Sequence, residues 1–182
     1  MEIGKNLYVK DRAKWRAWLA KNHNKEDEIW LVAYKKHTGK PSVPYNDAVE
    51  EALCYGWIDS IVKRLDEDRT AQRYTPRRPK SQLSETNKER IRRLIDQGKM
   101  TKAGLEKVKD KLEEKVEISP DISKALKKDP TVWKNFQAFP ESYRQIRVGW
   151  IEGARNRPDV FKTRLNYFIK MTGKNKLYGM VK

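Results

Sequence analysis

A single cysteine, Cys54, in 182 residues leaves no intramolecular disulfide to staple the fold. The two histidines, His23 and His37, stand in polar segments without the spacing that metal ligands require. No run of 18 apolar residues is present, so no membrane-spanning helix is expected. Residues 1–14 lack the apolar core of a secretory signal. A glycine-rich phosphate loop and a nucleophile elbow are missing as well. Together these absences predict a cytoplasmic protein with no cofactor and no metal, and they supply no catalytic motif.

What is abundant is positive charge. The net charge is +16, from 41 Lys and Arg against 25 Asp and Glu. Residues 69–93 carry nine basic and two acidic groups, and residues 142–182 carry ten and two. The rest of the chain is close to balanced. Such a surface concentrates phosphate, nucleic acid or acidic lipid, or serves solubility alone. Six Trp and eight Tyr supply the burial that a chain of mean hydropathy −0.95 needs to fold.

The patterning predicts an α+β fold: a small antiparallel sheet with packed helices, followed by an all-helical C-terminal module. Asp11 caps a helix carrying Trp15, Trp18 and Leu19. Residues 28–35 alternate as a strand with both faces apolar. Ala48, Val49, Ala52 and Leu53 form a helical stripe ended by Gly56. Residues 57–65 and 69–75 read as a hairpin about an acidic turn at 66–68. From Ser84 the spacing is helical, with Ser119-Pro120, Asp129-Pro130, Phe139-Pro140 and Arg157-Pro158 opening successive helices. The organisation expected is a mixed module over 1–97, a bridging charged helix within 98–117, and a helical module over 118–182 with a loose tail after Thr172.

The run Tyr45 to Asp59, which ends in Gly56-Trp57-Ile58-Asp59, and the run Gln72-Arg73-Tyr74-Thr75-Pro76-Arg77-Arg78-Pro79-Lys80-Ser81 resemble the YdeI/OmpD-associated family. So do the Ser84-x-x-Asn87 helix start and Gly98-Lys99-Met100-Thr101. Farther on, Pro130, Phe136, Ser142-Tyr143-Arg144 and Trp150-Ile151 are similar to the helical domain named for it. Leu83 stands where that pattern has Trp. The resemblance implies a stress-response protein of the bacteriocin-protection or antimicrobial-peptide-tolerance type, with no reaction, cofactor or catalytic residue to carry over.

The candidate site is the tract Arg73, Arg77, Arg78, Lys80 and Ser81, which leads into the helix start at Ser84. Guanidinium forks match phosphate and carboxylate, and a helix N-terminus adds unpaired N–H groups and positive potential. Asp59 shares a strand face with Trp57, and Arg73 is its expected partner; Tyr45 joins this set among the tyrosines that could line a pocket. Alternatively the arginines pair with Asp59, Asp66, Glu67 and Asp68. Three functions follow: a non-enzymatic anion-binding protein, a nucleic-acid binder using both basic stretches, or an enzyme with Asp59 as acid/base. Arg144, Arg147 and Arg155 suit a nucleic-acid backbone or the wet side of amphipathic helices. Cys54, on the apolar stripe, reads as core.

Overall fold

The computed structural model describes residues 2–79 and 81–179, and it divides into two compact units. One comprises Met1–Gln82 with Arg90–Leu112, the other Leu83–Glu89 with Glu113–Lys182.

The first unit is a four-stranded sheet with helices on it. Its strands are β1 (Asn6–Tyr8), β2 (Ile29–Tyr34), β3 (Trp57–Arg64) and β4 (Arg69–Pro76), in the order β1-β2-β4-β3. The β2–β4 and β4–β3 pairings are antiparallel, and β1 lies parallel to β2. The three antiparallel strands fall where alternation predicts them. β1 was not predicted, because three residues are too few to show a period. Helices α1 (Arg12–Asn22) and α2 (Tyr45–Cys54) carry the buried Trp15, Leu19, Ala48, Val49, Ala52, Leu53 and Cys54. Asp11 caps α1 by accepting from Lys14 N at 2.9 Å, and Gly56 takes a φ of 73° just beyond α2.

Cross-strand register sorts the sheet's side chains. Ile29 lies opposite Tyr74, and Asp59 lies opposite Tyr74 on the other side. Trp15, Trp18, Trp57 and Tyr74 form a chain of ring contacts beside them, with centroids 5.3–5.9 Å apart. Two buried indoles find acceptors: Trp15 donates to Ala48 O and Trp57 to His23 O, both at 3.0 Å. Trp30, Val32 and Ala71 form a separate cluster with Ile3 and Leu65 on the opposite face.

The expected charged helix through 101–117 is not one helix. α4 spans only Lys102–Glu106, followed by a 3₁₀ turn at Lys109–Lys111. Thr101 caps α4 and donates to Cys54 O at 2.6 Å. Gly104 presses so close to α2 that a Cβ there would lie 2.2 Å from Cys54 O. Beyond it, Glu113, Glu114 and Glu117 stand at like-charge helical spacings that oppose continuation.

The second unit holds α5 (Pro120–Lys127), α6 (Pro130–Ala138), α7 (Glu141–Glu152) and α8 (Pro158–Gly173). Proline opens α5, α6 and α8 as the sequence predicts, and Asp129 caps α6 through Thr131 N and Val132 N. Phe136, Tyr143 and Phe168 are buried in its core, with Trp133, Trp150 and Phe161 packed against them. α3 (Glu85–Asp96) starts after Ser84, whose Oγ accepts from Asn87 N at 3.3 Å.

Candidate functional site

β4 ends at Pro76, and the next N–H, of Arg77, donates to Gly56 O at 2.8 Å. This bond turns the Arg77 side chain inward, where it is 3% exposed. Its Nη2 donates to Gln82 O, while Nε is buried with no hydrogen-bond partner. Burial pulls its pKa down. No carboxylate pairs with it among the described residues.

The loop that follows folds back on itself. Ser81 N and Oγ both donate to Arg78 O, at 3.0 and 2.8 Å. Lys111 reaches in and donates to Pro79 O and Ser81 O, at 2.7 and 2.6 Å. Arg78 is exposed. Three cations thus gather here; among the described residues Arg77 and Lys111 are met by carbonyls, and the Arg78 side chain is exposed. Lys80 lies outside the described residues. Ser84 belongs to the second unit, at the α3 cap.

Arg73 does not pair with Asp59. It donates from Nε and Nη2 to Glu28 Oε2, at 2.8 and 2.6 Å. The register is the reason. Asp59 faces Tyr74, so Arg73, one residue away, points to the opposite side of the sheet beside Trp30. Asp66, an alternative partner for the arginines of the tract, takes Arg69 at 2.6 Å.

Asp59 meets Tyr45. The phenol donates to Asp59 Oδ2 at 2.8 Å, just before the register shift between Asp59 and Val62. Burial, reinforced by Asp59, pushes the Tyr45 pKa up to about 12. Tyr74, beneath it, is also raised by burial, with Arg90 opposing. Arg90 in turn donates to Asn46 Oδ1 at 2.9 Å. The phenol proton is thus engaged by Asp59 in a hydrogen bond, and the two side chains do not form an ion pair.

Two residues escaped the sequence reading. Lys111 stands thirty residues beyond the loop it holds, and no local pattern marks it. Arg147 was assigned to a basic helical face, yet it is 7% exposed. Tyr143 and Trp150, four residues before and three after it, were the available signal: this spacing puts two rings and the cation on one side of a helix. Of its expected companions, Arg144 packs over Phe136, and Arg155 pairs with Asp121 and Glu152.

The expected apolar role of Cys54 holds: it is fully buried, and burial raises its pKa. His23 lies at the α1 C-terminus beside Leu19 O, and His37 pairs with Asp68.

No curated protein and no solved structure matches the chain. Residues 115–175 match the family described as Bacteriocin-protection, YdeI or OmpD-Associated. Residues 7–107, more than half the chain and including both the arginine loop and the Tyr45–Asp59 pair, match a family described as a domain of unknown function, DUF8412. The chain belongs to the DUF8412 family and carries a YdeI/OmpD-associated segment after that domain.

Proposed function

We propose that this protein is a non-enzymatic anion binder, and that Arg77 and Arg78, with Lys111 beside them, take a small phosphorylated or carboxylated ligand. The observation that supports this reading is Arg77, a buried guanidinium with no acid beside it among the described residues. An uncompensated buried cation costs several kcal/mol, and carbonyl acceptors offset only part of that. An anion docked on the loop about 6 Å away would recover about 3 kcal/mol at an effective dielectric of about 20. Arg78 supplies the exposed fork that first meets it. The bacteriocin-protection description of the C-terminal match fits a role in stress tolerance, exercised by sequestering or sensing such an anion.

Calorimetric titration with inorganic phosphate and with a single-stranded oligonucleotide over about 50–200 mM salt tests the reading. A loop site predicts saturable phosphate binding with a shallow salt dependence. Phosphate that fails to bind, beside an oligonucleotide whose affinity falls steeply with salt, would favour nucleic acid and overturn the proposal.

A further inference from the structure

In the second unit, Arg147 of α7 sits under three rings. Its guanidinium carbon lies 5.3 Å from the Tyr143 ring centroid, 5.9 Å from Trp150 and 4.7 Å from Tyr178. Nε is buried without a hydrogen-bond partner, and no acid pairs with the side chain among the described residues. The segment after α8, expected to be loose, folds back here: Tyr178 N donates to the Tyr143 hydroxyl at 3.2 Å. Gly179 then takes a φ of 92° and lies so close that a Cβ would fall 2.5 Å from Arg147 Nη2. A side chain at that position would be strained by the positive φ and would crowd the guanidinium.

Beside this group is a cavity of about 390 Å³, lined by Thr86, Ile146, Arg147, Trp150, Tyr167, Tyr178 and Gly179. That volume falls within the usual range for small-molecule sites. The lining holds one cation and no acid. Its other walls are aromatic or aliphatic, apart from the Thr86 hydroxyl, the phenol oxygens of Tyr167 and Tyr178, and the Gly179 backbone. One guanidinium offers one planar fork. A polyphosphate or nucleic-acid backbone would need several cations, and a neutral apolar molecule would leave the charge unanswered.

We infer that this cavity binds a small organic monocarboxylate with an apolar or aromatic body, its carboxylate on Arg147 and its body against Trp150 and Tyr167. The site is independent of the arginine loop in the first unit. Rings alone give a cation modest stabilisation, and a carboxylate adds the charge-assisted hydrogen bonds they cannot.

Phenylacetate is the probe, followed on the full chain by the indole N–H signal of Trp150 in two-dimensional NMR. A saturable shift is expected, with phenylacetamide and inorganic phosphate giving none. Arg147→Met should weaken phenylacetate by about tenfold or more. Tyr167, 45% exposed, can lose its ring without opening the core, so Tyr167→Ala should also weaken binding should Arg147→Met fail to fold. Lys25→Ala, at an exposed cation of the first unit, should leave it unchanged. No saturable shift with phenylacetate, equal binding of the amide, or full affinity in Tyr167→Ala would each overturn the assignment.

Discussion

Tyr45 donates its hydroxyl proton to Asp59 across 2.8 Å, tying the first residue of α2 to the edge strand β3. The folded chain holds that proton up to about pH 12, against about 10 for a free tyrosine. A group whose pKa rises on folding contributes its full stability below the unfolded value and loses it as pH climbs through the folded one. The melting temperature should therefore fall more steeply between about pH 10 and 12 in the wild type than in Tyr45→Phe. Equal slopes would show that the hydroxyl is energetically silent.

The partner of Arg73 is equally checkable. Arg73 and Glu28 are each about a quarter to a third exposed, so their coupling should be about 0.5–1 kcal/mol. A denaturation cycle of Arg73→Met with Glu28→Gln should report it. The cycle with Asp59→Asn should be additive within about 0.5 kcal/mol. Coupling to Asp59 instead would mean that β3 and β4 pair in a different register.

Glu51 is 2% exposed and accepts from Arg12 Nε at 2.5 Å and Arg16 Nη1 at 2.6 Å. Glu51→Gln should destabilise the fold, by less than the roughly 3–5 kcal/mol of a wholly buried pair because both arginines keep contact with water. Chemical denaturation measures the loss, and a change within about 0.5 kcal/mol would place the pair among inert surface contacts.

Gly104→Ala would drive a methyl to 2.2 Å from Cys54 O. Overpacking of this kind costs on the order of 1–3 kcal/mol. A neutral substitution would show that α4 shifts freely against α2.

Local signals were legible in the sequence. Asp11 and Asp129 cap the helices their positions predict, and Gly56 takes the positive φ expected beyond a helix. Alternation also located β2, β3 and β4. The side-chain partners were less legible, since they depend on register. The shift between Asp59 and Val62 sets which face each β3 residue shares with β4, and one residue of offset sent Arg73 to Glu28. Lys111 and Arg147 were missed for a related reason. A lysine or arginine reads as solvated until the fold places carbonyls or rings around it.

The most direct test of the arginine loop is thermal melting in phosphate and in chloride at matched ionic strength. Phosphate at about 100 times its dissociation constant should stabilise the wild type by roughly 2.7 kcal/mol. That phosphate-specific rise in melting temperature should vanish in Arg78→Ala, whose side chain is exposed. It should persist in Arg155→Ala, whose arginine lies in the other unit and is already paired with Asp121 and Glu152. Equal melting temperatures in the two salts, or a rise that survives Arg78→Ala, would contradict an anion site on this loop.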